Sequence, residues 1–241
     1  MSDLLHFAGA TAPVVERLRA AVERGLSLTL AGFLHEWELD AASARMLAQL
    51  RNTSPTRLAS WSSVAAVHVY ESPSTVMRAV DDLVERGLIE TTVDGARTTT
   101  KGGEATVVLQ RLTEKVSDEL WGEHTARCEA LLPLLRGVVD TAAETGGEAF
   151  DLQYPPSEHE GASATAQVAE LLEAVWYHRF DAHVSAWRAA GLDAYEAQLI
   201  TGGTLYRVLQ EDTDVRNGAA YATLKSKQRV ELLSGLGSLP G

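Results

Sequence analysis

Residues 71–90, ESPSTVMRAVDDLVERGLIE, constrain the fold more than any other part of the chain. Ser72 is a good N-cap for a helix whose first position is Pro73, where a missing N–H leaves no hydrogen bond unmade. Gly87 is placed to end this helix, and the apolar pair after it predicts a strand. Apolar residues at helical spacing predict the buried face of the helix; they are Val76, Val80, Leu83 and Val84.

A hairpin is predicted directly after this helix. Asp94-Gly95 favours a tight two-residue turn, because both positions of such a turn need positive φ. Two helices are predicted before residue 71, one over 57–69 capped by Thr56 and one over 41–52 capped by Asp40. A helix, a helix-turn-helix, a hairpin and a further helix follow one another in the order of a winged helix.

The remainder of the chain is predicted to be helical, and the fold class is therefore mainly α. A winged helix-turn-helix with a short β-hairpin wing is joined to an added C-terminal helical region. Residues 145–163 are rich in Gly, Pro and Glu and predict a linker. We thus expect a winged-helix domain with flanking helices over 1–144 and a helical region over 164–241 for dimerisation or a ligand pocket. The polar run 211–218 predicts a helix break, and the final eight residues are expected to fray.

Charge and composition restrict the function. The formal net charge of −12 argues against non-specific binding to nucleic acid, which depends on releasing counterions from phosphates. The charge is uneven, because residues 57–115 carry seven basic and eight acidic side chains. No apolar run approaches the roughly 18 residues of a membrane span, and the N-terminus lacks the pattern of a signal peptide. The single cysteine, Cys128, fits a reducing compartment, so we expect a cytoplasmic protein without membrane contact.

Residues 39–131 resemble the MarR family of bacterial regulators. The resemblance lies in ELDAASARMLAQL, in VAAVHVYESPSTVMRAVDDLVERGLIE, and in the T-x-K-G-x-E-A opening of the helix after the wing. It implies a homodimer that places the helix starting at Pro73 in the major groove of double-stranded DNA. The DNA-binding residues expected from this placement are Arg57, Ser72, Ser74, Thr75, Arg78, Arg97 and Lys101.

The wing departs from the family pattern. Family wings are usually longer and send an arginine into the minor groove, whereas this hairpin offers only Arg97 and Lys101, which would reach phosphate. For Arg78 two interpretations stay open: it contacts DNA, or it is a solvated arginine paired with Asp81 or Asp82. Winged helices also serve as scaffolds without DNA binding.

A second candidate site lies on the helix predicted over 164–190. Placed at 100° per residue, an aromatic face with one arginine and one histidine predicts a pocket for a small aromatic or anionic molecule. The alternative is a core helix whose arginine pairs with Glu196 or Glu173. His178 and Asp181 fall on the opposite face and are expected to meet water, so they cannot join His183 around one metal. The pocket residues are Trp176, Arg179, Phe180, His183, Trp187 and Glu196.

Residues 179–200 also resemble, locally, a family of uncharacterised actinobacterial helix-turn-helix proteins. The shared pattern is R-x-D-x-H-V-x-A followed by A-A-G-L-D and E-A. This resemblance implies that the helical half and the winged helix belong together, and it implies no activity.

Three functions remain open from the sequence. The first is a MarR-like transcriptional regulator that responds to an effector. The second is an enzyme or small-molecule-binding protein on a winged-helix scaffold, working around Arg179 and His183. The third is an acidic protein-interaction module. No Ser/His/Asp order, phosphate-binding glycine loop or CxxC pattern indicates a named enzyme, and no cofactor is expected.

Overall fold

The computed structural model describes residues 2–54, 57–156 and 161–241. These residues form a mainly helical fold with one small antiparallel sheet. The helices are α1 (Ser2–Thr29), α2 (Ala31–Glu36), α3 (Ala41–Gln49), α4 (Trp61–Val67), α5 (Pro73–Glu85), α6 (Thr100–Trp121), α7 (Thr125–Ala142), α8 (Glu148–Gln153), α9 (Ala164–Ala189), α10 (Ala194–Leu199), α11 (Gly203–Asn217) and α12 (Ser226–Gly237). The strands are β1 (Ala59–Ser60), β2 (Ile89–Thr91) and β3 (Gly95–Thr98).

Helix α9 is the centre of the molecule. It packs against α1, α6, α7, α8 and α11, so both faces of its helical wheel are covered. The prediction that His178 and Asp181 face water is therefore wrong: His178 is buried and Asp181 is half-buried. The periodicity of one helix shows which residues share a face, but a helix surrounded by neighbours has no solvent face to assign.

The segment predicted as a linker contains a short buried helix. Helix α8 occupies Glu148–Gln153, where a loop was expected. The carboxylate of Asp181 accepts the backbone N–H groups of Gly147, Ala149 and Phe150, at 3.1, 3.3 and 2.8 Å. This remote side chain satisfies the free donors at the start of a helix that has no local cap, which the sequence around it does not reveal.

The main hydrophobic core crosses the division expected at 145–163. Buried side chains of α1, α6 and α7 share one cluster with those of α9 and α12, among them Leu18, Leu135, Leu172 and Leu236. The two-part organisation stays a prediction, but the described residues on its two sides share one core. For Cys128 the sequence favours a core position on a helix over a redox role, and Cys128 lies in this core with no exposed surface.

Several element ends differ from the predicted ones. The sequence predicts that the first helix stops at Gly25, but α1 passes through it. A side chain at Gly25 would meet Val116 at 2.4 Å, so this glycine lets α6 approach. α11 runs through the predicted break at 211–218, because Thr213 and Asn217 are buried in it. The final residues do not fray: Leu239 is 1% exposed. The carbonyl oxygen of Pro240 accepts the indole N–H of Trp121 at 2.9 Å.

The capping signals predicted at Asp40 and Ser72 are confirmed. Asp40 accepts the N–H of Ser43 at 2.7 Å, and Ser72 accepts the N–H of Thr75 at 3.2 Å. For the helix after the hairpin the sequence predicts Thr100 as the cap, but the cap of α6 is Thr99. The Thr56 cap predicted for the helix over 57–69 lies outside the described residues, and that helix is shorter, because residues 59–60 form β1.

The three strands form an antiparallel sheet in the order β1-β3-β2. Thr91 pairs with Ala96, and the hairpin turns at Val93 and Asp94, so the turn predicted at Asp94-Gly95 is wrong. Gly95 begins β3 instead, with no positive φ. A side chain there would lie 1.9 Å from the carbonyl oxygen of Ala59, so this glycine is needed for the approach of β1.

None of the helices in the described parts of the chain has the length and apolar character needed to cross a membrane.

Candidate functional site

Two surfaces carry the residues that the sequence singled out: the outward face of α5, and a groove bounded by α1, α9 and α11. On α5, Ala79, Val80 and Leu83 are buried. Val84, predicted to point inward, is 40% exposed, because the buried face is centred one residue earlier. The rest of the α5 surface faces outward, beginning at the first residues of the helix.

The exposed start of α5 groups four of the predicted DNA-binding residues. The hydroxyl oxygen of Ser72 lies 3.0 Å from that of Ser74 and 2.8 Å from that of Thr75. Arg78 follows one turn later and is exposed. It forms no ion pair or hydrogen bond with any residue that the structure describes. Its positive charge contributes a little to lowering the pKa of Asp40, which depends chiefly on the N–H donated by Ser43.

The carboxylates expected to pair with Arg78 do not do so. Asp82 accepts a hydrogen bond from Arg86 at 2.8 Å, and Asp81 is exposed at the next turn of α5. The guanidinium of Arg78 is thus available to an outside partner.

The other predicted DNA-binding cations all form hydrogen bonds within the chain. Arg57 donates to the backbone carbonyl oxygens of Asp151, at 2.9 Å, and of Tyr154. Arg97 donates to Glu90 across the hairpin. The ammonium of Lys101 donates to the carbonyl oxygen of Arg86 at the end of α5, at 2.9 Å. These three are therefore not grouped with Arg78 on one free surface.

The groove has a volume of about 470 Å³. Four of the six predicted pocket residues line it. They are joined by side chains of α1 and α11 that the sequence did not indicate. Trp176 and Phe180 stack on each other, with ring centroids 5.2 Å apart. The residues that carry its polar and aromatic character are Glu16, Trp176, Arg179, Phe180, His183, Tyr206, Gln210, Thr213 and Asp214.

The ion pair at the groove joins Arg179 to Asp214, with 2.5 Å between Nη1 and Oδ1. Nη2 of Arg179 also donates to Gln210 at 3.1 Å. The two paired side chains are 20% and 17% exposed. The expected partners Glu196 and Glu173 do not contact Arg179. Asp214 was missed because it lies 35 residues further along the chain, on another helix.

Two predicted pocket residues lie elsewhere. Glu196 forms a capping box with Asp193 at the start of α10 and is exposed. Trp187 is 3% exposed, and its indole N–H donates to the hydroxyl of Tyr70 at 3.0 Å. Helical spacing places Trp187 on the same face of α9 as the groove residues, but the last turns of α9 extend beyond the groove.

Tyr70 connects the two surfaces. It lies in the turn between α4 and α5, two residues before the Ser72 cap. Its ring packs edge-on against Phe180 of the groove, with centroids 5.7 Å apart. The turn from which α5 starts thus contacts a side chain that lines the groove.

A cluster of buried charges lies beside the groove and was not predicted. Arg51 donates from Nε and Nη2 to Glu170, at 3.2 and 2.9 Å. Both side chains are 12% exposed. Burial raises the pKa of Glu173, one turn along α9, against the opposing attraction of Arg19 and Arg51. A sequence signal was present: Glu170 and Glu173 interrupt an otherwise apolar run of α9.

His183 lines the groove with a defined arrangement of its ring nitrogens. Nδ1 lies 3.3 Å from the hydroxyl oxygen of Thr213. That hydroxyl donates its proton to the carbonyl oxygen of Leu209 at 2.7 Å. Since the hydroxyl has only one proton, Nδ1 of His183 must be the donor. Burial, assisted by the charge of Arg179, lowers the pKa of His183 and favours the neutral ring.

His178 is held at both ring nitrogens by side chains of the protein. Its Nδ1 lies 3.0 Å from the amide oxygen of Asn217, and its Nε2 lies 3.0 Å from the hydroxyl of Thr145. Among the residues that the structure describes, no group of three or more His, Cys, Asp or Glu side chains is placed to hold a metal ion.

The two histidines of α9 predict acid sensitivity of the fold. Burial lowers the pKa of His178 and of His183 below the ordinary value of 6.5. In mild acid the unfolded chain therefore binds protons that the folded chain does not bind. We expect the contribution of these neutral histidines to the free energy of unfolding to be fully present above pH 6.5. It should decrease as the pH falls below that value.

Urea denaturation at a series of pH values measures this dependence. His183→Leu is expected to give a shallower pH slope than the wild type, because one of the two groups is removed. If the pH slope of this variant equals that of the wild type, His183 does not contribute to the pH dependence of stability.

The chain matches no protein-family model, no curated protein and no solved structure.

Proposed function

We propose that this protein is a cytoplasmic DNA-binding transcriptional regulator of the winged helix-turn-helix, MarR-like type. It acts as a homodimer on double-stranded DNA and responds to a small molecule bound in the groove. The observation that carries the proposal is the outward face of α5. Three hydroxyl side chains lie together at its start, and Arg78 follows with no partner among the described residues.

The chain order around α5 supports the winged-helix interpretation. α3, α4 and α5 follow one another, and β2 and β3 form a hairpin directly after α5. β1, between α3 and α4, adds a third strand to that hairpin. In such units the second helix of the motif enters the major groove with its N-terminal residues towards the bases. Ser72, Ser74, Thr75 and Arg78 stand at that end of α5.

The proposal assigns a single arginine to DNA, and this makes it sharply testable. Arg78→Ala is expected to weaken DNA binding by about 1–3 kcal/mol if the guanidinium reads a base. Fluorescence anisotropy with mixed genomic fragments, across a salt series, measures this loss. A smaller effect together with a salt slope lower by about one indicates a phosphate contact instead.

The matched control is Arg216→Ala. It removes the same charge from α11, where Arg216 pairs with Asp212 on the surface. DNA affinity is expected to stay at the wild-type value in this variant. Equal losses in the two variants would mean that Arg78 acts only through net charge, and binding that is absent even at low salt would refute the regulator.

Effector response is supported by the contacts of Tyr70. The ring of Tyr70 contacts Phe180 in the groove, and its hydroxyl accepts a hydrogen bond from Trp187. From Tyr70 the chain continues through Ser72 into α5. A ligand that displaces Phe180 therefore changes the packing that orients α5. By linkage, DNA and ligand then alter each other's affinity by the same factor.

A second function is favoured by the other predicted DNA-binding cations. Arg57, Arg97 and Lys101 are all bonded within the chain, so the surface around α5 holds few cations for phosphates. This favours a small-molecule-binding protein on a winged-helix scaffold that has lost DNA binding. The same salt series separates the two functions, because the scaffold shows no salt-dependent DNA binding.

A further inference from the structure

The groove between α1, α9 and α11 offers a hydrogen-bond acceptor without a partner. Nδ1 of His183 donates to Thr213, so Nε2 of the neutral ring carries a lone pair. No residue in the described ranges 2–54, 57–156 and 161–241 hydrogen-bonds to this Nε2. The lowered pKa of His183 agrees with a ring that stays neutral and keeps this acceptor.

Among the described residues that line the groove, no cation is free to receive an anion. Arg179 is neutralised by Asp214 at 2.5 Å and is further bonded to Gln210. The second carboxylate of the groove, Glu16, accepts the indole N–H of Trp176 at 2.6 Å. A bound anion would have to displace Asp214 from Arg179, and it would then face two carboxylates. The pocket predicted for an aromatic or anionic molecule is thus better suited to an uncharged one.

The volume of the groove and its lining side chains indicate a ligand that is mostly apolar. A volume of about 470 Å³ is within the range of pockets for drug-sized ligands. Trp176 and Phe180 supply aromatic surface on the α9 side, and Tyr206, 38% exposed, lies on the α11 side. Beyond them the amide nitrogen of Gln210 has no bond to a described residue, so one more donor is available to a ligand oxygen.

We propose that this groove binds an uncharged, mainly apolar molecule with one hydroxyl or amino group, which donates its proton to Nε2 of His183. The inference deepens the effector part of the proposed function. It is tested on the full chain without DNA, so a failure of DNA binding and a failure of ligand binding are observed separately.

Three probes with the same ring system test the proposal by isothermal titration calorimetry at neutral pH: naphthol, its methyl ether and the corresponding naphthoate. Naphthol is uncharged and has a donor, the ether lacks the donor, and naphthoate is an anion. We expect the ether to bind about three- to tenfold more weakly than naphthol, the effect of one neutral hydrogen bond. Naphthoate is expected to bind more weakly than naphthol. Undetectable naphthol binding, or tightest binding of naphthoate, overturns the proposal.

His183→Leu locates the donor contact. Leucine keeps apolar bulk but removes the acceptor, so naphthol and its ether are expected to bind this variant equally. His35→Leu is the matched control, since His35 is exposed on α2 away from the groove, and it should keep the wild-type ratio. A ratio that persists in His183→Leu refutes the role of His183.

Thr213→Val provides a second variant in case His183→Leu fails to fold. Valine has nearly the shape of threonine but cannot accept the proton of Nδ1. The ring is then free to carry its proton on Nε2 and to donate to the ether oxygen. The preference for naphthol over the ether should therefore narrow, and a preference equal to that of the wild type contradicts the proposed tautomer.

Discussion

Arg51→Met is expected to lower the free energy of unfolding by about 3–5 kcal/mol, the usual effect of leaving a buried charge without its partner. Arg51 holds Glu170 with two N–H groups and is 12% exposed. Its third bond, from Nη1 to the carbonyl oxygen of Ala48 at 2.9 Å, fixes the end of α3. Methionine fills similar space but removes the positive charge. The carboxylates of Glu170 and Glu173 then repel each other where little solvent reaches them.

Urea denaturation followed by circular dichroism measures this loss. The double variant Arg51→Met, Glu170→Leu is expected to recover most of it, because the stranded carboxylate is removed. Arg216→Ala, which breaks an exposed pair of 42% and 37% exposed side chains, should change stability by at most about 1 kcal/mol. Equal losses for Arg51→Met and Arg216→Ala would show that the cluster contributes little.

The loss in Arg51→Met should depend on pH. Burial already raises the pKa of Glu173, and removal of Arg51 takes away an opposing attraction. A carboxyl group with a raised pKa in the folded state stabilises the fold below its unfolded pKa, and this contribution is lost as the pH rises. The difference between Arg51→Met and wild type is therefore expected to shrink on acidification.

Trp121→Ala is the second large expected effect, also about 3–5 kcal/mol. Trp121 ends α6 with no exposed surface, in the same core cluster as Leu236 and Leu239. Alanine there leaves a cavity and removes the donor to the carbonyl oxygen of Pro240. Protection from hydrogen exchange should fall in the last residues of the chain.

Trp121→Phe separates the two contributions. Phenylalanine keeps most of the ring volume but has no N–H, so a loss of about 1–2 kcal/mol is expected. If Trp121→Ala is no more harmful than Trp121→Phe, the indole volume does not support the C-terminal segment. The prediction of a frayed terminus, which the structure overturned, would then regain support.

Local signals were predictive from sequence, and remote ones were not. The caps at Asp40 and Ser72 act within three residues, so the sequence contains both partners. The turn at Val93 and Asp94 was misplaced because Gly95 is required by the distant β1 and not by the turn. The sequence predicts a linker where α8 lies, because the N-terminal donors of this helix are satisfied by Asp181 from the distant α9.

The candidate sites divide in the same way. Helical spacing brought Trp176, Arg179, Phe180 and His183 together correctly, since they lie on one face of one helix. It gave no access to their partners on α1 and α11, and so it left the charge of the groove undetermined. The sequence left two roles open for Arg179, anion receptor or half of an ion pair, and the structure pairs it with Asp214.

The central position of α9 has a consequence for folding during synthesis. Helix α1 packs against α9, α11 and α12, which leave the ribosome long after it. At about 5–20 residues per second, the apolar face of α1 waits on the order of ten seconds or more for these partners. Helix α6 reaches α1 first, so until α9 emerges the nascent chain presents an amphipathic helix whose apolar face is only partly covered. We expect chaperones that bind apolar segments to hold α1 until α9 has emerged.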